Sequence, residues 1–266
     1  MKRERVLSLT KIILVWLVCY TATVDFARAT DREGPTADLT VSMLSQYIWR
    51  GFALSEDSAV IQPSMTVAYK GFSFNLWGNL DTDPAGDLDN WNETDMTLSY
   101  DWGAGPMGFS AGYIYYALDG IEDSQEVYFS LGLDTLLSPA LTVYREIYHS
   151  PHWFITGDIS HSFALPGEMS LDISAQVSYL LSDDEGAYPE VDDDGVVEGE
   201  YDNFHHGVLS AALNMPVSDY FTVTPEIHWS FPLCDDSESL TRDSGLSVTD
   251  DSDNFVYGGV SVSFAF

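Results

Sequence analysis

Apolar and polar residues alternate along most of this chain with a period of two. Between positions 72 and 80, Phe72, Phe74, Leu76 and Leu80 fall on one side, and Ser73, Asn75, Trp77 and Asn79 on the other. Leu171, Ile173, Ala175, Val177, Tyr179 and Leu181 oppose Asp172, Ser174, Gln176 and Ser178 in the same way, as Phe221, Val223, Ile227, Trp229 and Phe231 oppose Thr222, Thr224, Glu226, His228 and Ser230. Successive side chains of a strand point to opposite faces, so each stretch reads as a strand with one greasy and one polar side. Twelve are predicted, at 38–50, 59–69, 72–82, 94–102, 107–117, 124–133, 140–149, 152–163, 169–181, 203–214, 220–231 and 254–266.

The connections divide into two kinds. Lys70-Gly71, the turn at 103–106, the segment 136–139, Leu165-Pro166-Gly167 and the turn at 215–218 are short, and they alternate with longer polar loops, the abrupt 149–151 link excepted. The five longer loops carry 26 acidic residues on these boundaries, above all in 83–93, 182–202 and 232–253. One end of the sheet is therefore trimmed and the other elaborated and acidic.

Composition decides what surrounds such strands. Met1 to Arg5 hold three bases, an apolar run follows from Ile12 to Cys19, and Ala27-Arg28-Ala29 supplies the small residues of a cleavage site. Residues 1–29 read as a secretory signal and 30–266 as a single barrel domain. Five of the ten bases and two of the 42 acids lie in that signal, so the mature charge is −35. Nucleic acid is excluded as a partner by that charge. With 7 Trp, 15 Tyr and 14 Phe the chain needs apolar or interfacial surroundings. Cys234 is the one cysteine beyond the signal, so no internal disulfide can staple the fold.

A soluble sandwich would bury the apolar faces against each other. Export, an even strand number, strands of ~9–11 residues or more and one-sided loops instead match a transmembrane antiparallel up-and-down β-barrel, an all-β fold of about 12 strands. Hydrocarbon offers a free strand edge no hydrogen-bond partner, so the last strand should close on the first. The final stretch, with Val260, Val262, Phe264 and Phe266 on one side, resembles the terminal strand of Gram-negative outer-membrane barrels, which implies recognition by the barrel-assembly machinery. Near the other end, Ser45, Tyr47, Arg50 and Gly51, then Gln62-Pro63, then the aromatic hairpin at 72–79, resemble the opening of the TorF-type porin family over about forty residues. The resemblance implies an outer-membrane barrel with a pore role. Lipid and lipopolysaccharide would surround it, and a periplasmic partner is the main alternative use.

With the apolar set facing lipid, Arg50, Asn75, Asn79, Glu126, Asp158, Asp172, Glu226 and His228 become pore-lining candidates, beside Gln46, Gln62, Asp95, Asp101 and Gln176. Carboxylates outnumber bases in this set, so an open lumen should prefer cations. The competing arrangement is a plug in which Arg50 pairs with lumen acids. Adjacent Arg145 and Glu146 cannot both face inward without a bulge. No bond chemistry is expected: Ser110 matches a G-x-S-x-G spacing but sits inside a strand, where that motif needs a strand-to-helix turn. His149, His152, His205 and His206 could serve an outer-membrane hydrolase only if a serine and an acid converge on them. No resident cofactor is implied. Asp81, Asp83, Asp87 and Asp89, with Asp192, Asp193 and Asp194, are candidates for weak Ca²⁺ or Mg²⁺ binding, without the EF-hand spacing.

Overall fold

The computed structural model describes residues 34–191, 196–249 and 252–265. The signal segment, Asp192 to Asp194 and Phe266 lie outside the described residues. The elements are β1 (Thr36–Leu44), β2 (Ile48–Trp49), β3 (Phe52–Ala53), β4 (Val60–Tyr69), β5 (Phe72–Asp81), β6 (Trp91–Ala104), β7 (Met107–Leu118), β8 (Ser124–Leu133), β9 (Ala140–Glu146), β10 (His152–Ala164), β11 (Ser170–Ser182), β12 (Pro189–Val191), β13 (Val197–Glu200), β14 (Asp202–Pro216), β15 (Phe221–Pro232), α1 (Asp235–Asp243) and β16 (Phe255–Ala265). Twelve of the strands form one closed barrel, in the order β1-β16-β15-β14-β11-β10-β9-β8-β7-β6-β5-β4. β2–β3 and β12–β13 are separate two-stranded hairpins.

Closure runs through β1. Val41 lies opposite Pro63 of β4 on one side and Val262 of β16 on the other. Every adjacent pair is antiparallel, and because the ring of pairs is closed the ladder has no free edge. The polarity is the reverse of a soluble barrel. On β1, Leu39, Val41 and Met43 are 45%, 40% and 57% exposed, whereas Thr40 and Ser42 are 2% and 0% exposed. The same outward apolar set continues through Val67, Phe74, Leu98, Phe129, Ile159, Ile173, Leu209 and Val260. Such a continuous apolar surface is stable only against lipid. Tyr100, Trp102, Phe109 and Phe129 stack around the trimmed end of this outer face, where amphipathic rings meet the edge of a bilayer.

Three boundaries differ from the sequence expectation by three residues or more, each for a local reason. The first strand ends at Leu44, not at 50. Leu54 N–H donates to the Tyr47 carbonyl at 2.9 Å and Tyr47 N–H to Ser55 Oγ at 2.8 Å, so the chain doubles back over Arg50-Gly51. Both turn residues are left-handed, with φ of 49° and 89°. The seventh strand ends at Glu146 because its carboxylate accepts the backbone N–H groups of Tyr148, His149 and Ser150 at 3.0–3.3 Å, winding the link around one side chain. The fourth begins at Trp91, whose indole lies over Gly78; a Cβ there would sit 2.2 Å from the ring. Arg145 and Glu146 need no bulge, since Arg145 points outward to Asp183 at 2.5 Å and over Trp153, while Glu146 points in.

The acidic loops at the elaborated end fold back onto the barrel. α1 carries Asp235, Asp236 and Glu238 in its first turn and Arg242 in its last, which complements the helix dipole. Its one leucine, Leu240, is fully buried. It joins Tyr188 and Tyr201 of the β12–β13 loop and Phe52 of the inward hairpin in one hydrophobic core with Ile114, Tyr116, Tyr144, Phe154 and Leu180 from the barrel wall.

Candidate functional site

The lumen holds two different environments. Toward the elaborated end it is filled. The inserted segment around the β2–β3 hairpin buries Tyr47, Ile48, Phe52 and Ala53, all 4% exposed or less: Phe52 packs against wall residues of β7, β9, β10 and β11, Tyr47 against Leu44, Val60 and Trp77 of β1, β4 and β5, and Ile48 and Ala53 against Phe255 and Tyr257 of β16. At its tip, Arg50 Nη1 and Nη2 donate to Glu126 Oε1 and Oε2 at 2.7 Å each, a two-pronged ion pair. Tyr116 Oη donates to Glu126 Oε2 at 2.8 Å. His152 gives its Nδ1–H to the Ser150 carbonyl at 2.7 Å, which leaves Nε2 to accept from Arg50 Nη1 at 3.1 Å. The guanidinium also lies 4.3 Å from the Phe154 ring centre and 4.6 Å from that of Trp49. Burial disfavours the Arg50 cation, but Glu126 more than compensates and holds it above its ordinary range. Burial likewise pushes Tyr188 up to about 12, so that ring packs against His152 as a neutral phenol.

Arg50 is thus a correction to its assignment as a wall residue: it belongs to an inserted turn. Gly51 makes the insertion possible, because a Cβ there would meet His206 Cβ at 3.1 Å in a left-handed backbone. His205 Nε2 donates to the Arg50 carbonyl at 2.8 Å and ties the tip to β14.

Toward the trimmed end the wall is lined by hydroxyls, amides and carboxylates. Gln176 Nε2 donates to Asp158 Oδ1 at 2.7 Å and Thr156 Oγ1 to Oδ2 at 2.9 Å. Asn214 bridges Asp172, Ser170 and Thr224. Asn75 bridges Ser64 and Thr66, and nearer the elaborated end Gln62 Nε2 reaches Asn79 Oδ1 at 3.0 Å. Ser210, His228, Glu226, Ser261 and Ser42 form one hydrogen-bonded chain across four strands, with His228 2.8 Å from Ser210 and 3.2 Å from Glu226. The wall residues Asn75, Asn79, Glu126, Asp158, Asp172, Glu226 and His228, named from sequence, therefore face the barrel interior. Among the described residues, Arg50 is the one Lys or Arg side chain inside the barrel: Lys70 sits in a turn, Arg145 faces out and Arg242 lies on α1.

Alternation missed two features. Glu93, assigned to a loop, is 7% exposed inside β6 and faces the lumen beside Asp95. The inward aromatics Tyr116, Tyr144 and Phe154 were hidden because large rings suit either face; the lumen-side hydrogen bond of Tyr116 comes from a contact between strands. Ser110 does not meet the histidines of the hydrolase reading, and among the described residues no carboxylate is hydrogen-bonded to His206, the one of them that a serine hydroxyl reaches. Ser110 neighbours Tyr128, His152 serves Arg50, and His206 Nδ1 meets Ser178 2.7 Å away. Among the described residues no three His, Cys, Asp or Glu side chains are arranged to hold a metal ion. Asp81 Oδ1 accepts from Ser58 Oγ–H at 2.5 Å and Asp83 N–H at 3.0 Å, while its Oδ2 is buried without a hydrogen-bond partner.

No protein-family model matches the sequence, and no curated protein is significantly similar to it. Among solved structures, the chain is similar to the KdgM porin, at 12% identity over 87% of this chain and 99% of that one, with a TM-score of 0.51. It is similar also to the NanC porin, at 10% identity over 86% and 98%, with a TM-score of 0.56. At this identity the likeness establishes a shared porin-like barrel fold.

Proposed function

We propose that the chain is an outer-membrane, porin-like channel that passes small solutes and ions by passive diffusion, prefers cations, and is closed at its outer mouth by the β2–β3 hairpin. The observation that carries this reading is the charge of the inner wall. Asp38, Asp95, Asp158, Asp172 and Glu226 are all buried inside the barrel, and the single guanidinium there among the described residues is already committed to Glu126. Low-dielectric walls focus such a field and favour positive solutes. The C-terminal strand pattern and the TorF-type opening support placement in a Gram-negative outer membrane after Sec-type export, with both termini periplasmic and the acidic loops outside. Weak Mg²⁺ or Ca²⁺ between those loops and lipopolysaccharide would screen their repulsion.

Single-channel recording in planar bilayers tests the proposal. Discrete conductance is expected, with a reversal potential in a KCl gradient that favours K⁺ and weakens in the Glu226→Gln/Asp158→Asn variant. Anion preference would overturn the cation reading. A non-conducting scaffold that binds a periplasmic partner is the second reading, favoured by the hydrophobic core that fills the outer mouth. It predicts electrical silence even after Glu126→Ala frees the hairpin.

A further inference from the structure

Both carboxylate oxygens of Asp95 are buried without a hydrogen-bond donor, and the residue is only 2% exposed. Buried polar groups of native proteins are almost always partnered, and an unaccompanied carboxylate in a low-dielectric wall is among the most costly exceptions. Asp95 is moreover not alone. Glu93 precedes it by two residues on the same inward face of β6 and is the side chain within hydrogen-bonding reach of it, a second carboxylate, while Glu126 adds a further charge of the same sign. Glu93 has the Tyr47 hydroxyl as a neighbour within hydrogen-bonding reach. Glu126 has Arg50, His152 and Tyr116. Asp95 has none of these, because the Arg50 guanidinium is held by both prongs elsewhere.

We propose that Glu93 and Asp95 form a binding site for one hydrated divalent cation of the Mg²⁺ or Ca²⁺ class in the lumen wall, beneath the inserted 45–54 segment. The assignment rests on the channel reading, of which it is the first solute-binding station. The choice of ion follows from charge and ligand number. A single shared proton would cancel one of two adjacent negative charges, whereas a divalent ion cancels both. Two carboxylates are too few for a closed metal cage, but they suit a hard cation that keeps several of its waters. Such an ion binds firmly enough to dwell and loosely enough to leave, as conduction between sites requires. Since Tyr47 belongs to the inserted segment and reaches Glu93, an ion held there also braces the base of the plug.

Equilibrium dialysis of the detergent-refolded mature protein against ⁴⁵Ca²⁺ at physiological salt tests the site, with Mg²⁺ as competitor. Asp95→Asn and Glu93→Gln keep the shape of each side chain and should each lose one saturable site, or weaken it at least tenfold. Asp235→Asn on α1 removes the same charge outside the barrel and should leave that site intact. Equal saturable binding by the wild type and both lumen variants would overturn the proposal. So would an infrared band of a neutral carboxyl group that persists in calcium-saturated wild type and vanishes in Asp95→Asn, since the pair would then hold a proton. Dialysis needs no conduction, so binding by an electrically silent barrel sinks the channel reading alone, and conduction without the site sinks this inference alone.

Discussion

The two halves of the lumen solve one problem in opposite ways. Polar groups walled off from bulk water need partners. Toward the trimmed end the wall supplies them from neighbouring strands: Ser130 with Thr142 at 2.8 Å, Asn75 with Ser64 and Thr66, Asp158 with Gln176. These contacts run along the wall, each between adjacent strands. Toward the elaborated end the partners come from across the lumen, on a hairpin that carries its own hydrophobic residues and a single cation. The first arrangement is a lining and the second a stopper. A wall network tolerates the loss of one member, whereas the stopper concentrates its hold in Arg50 and Glu126.

That contrast can be broken most severely at the ion pair. Glu126→Ala strands a buried guanidinium, which costs about 3–5 kcal/mol. It should lower the thermal midpoint in detergent and raise the open probability in bilayers. The Arg50→Met/Glu126→Leu double variant should recover most of the loss in thermal melts, since a well-packed apolar replacement is often neutral. If Glu126→Ala melts and conducts like the wild type, the hairpin is not held by this pair. Next in size is the outer face: Leu98→Arg places a charge in the lipid belt and should cost about 2–4 kcal/mol in refolding titrations, with little change in single-channel current. Gly51→Ala should cost about 1–2 kcal/mol from the left-handed turn alone, more if His206 cannot yield, and should shift gating without altering ion preference. Smallest of all, Arg145→Ala removes a half-exposed outward pair with Asp183 and should change the melting free energy by about 0–1 kcal/mol. An effect there as large as that at Glu126 would mean that outward ion pairs, too, hold the barrel.

The barrel was legible because its cause is local. Each strand must present one face to lipid and the other to the lumen, and that requirement writes itself into every second residue, from Leu39-Thr40-Val41-Ser42 to Val260-Ser261-Val262-Ser263. The inserted hairpin was not legible in the same way. Gln46 to Arg50 continues the first strand's alternation well enough to extend it, and only Gly51, with its need for a left-handed backbone, hints at the reversal. Glu93 was hidden by its neighbours, since the stretch from Asp83 to Asn92 reads as one acidic loop. The plug pairing of Arg50 was foreseeable as an option, but Glu126 is 76 positions away, and nothing in the spacing selects it from the other lumen acids.

By itself the sequence determined the strand number, the strand faces, the short-turn and long-loop ends and the acidic character of the interior, because all of these follow from side-chain polarity at neighbouring positions. Only the tertiary structure decided that the first long loop enters the barrel, that Glu126 is the acid that receives Arg50, and that Asp95 is left without a donor. Those outcomes depend on which side chains meet across a closed cylinder. That is a matter of register and depth summed over twelve strands, which no single stretch of sequence records.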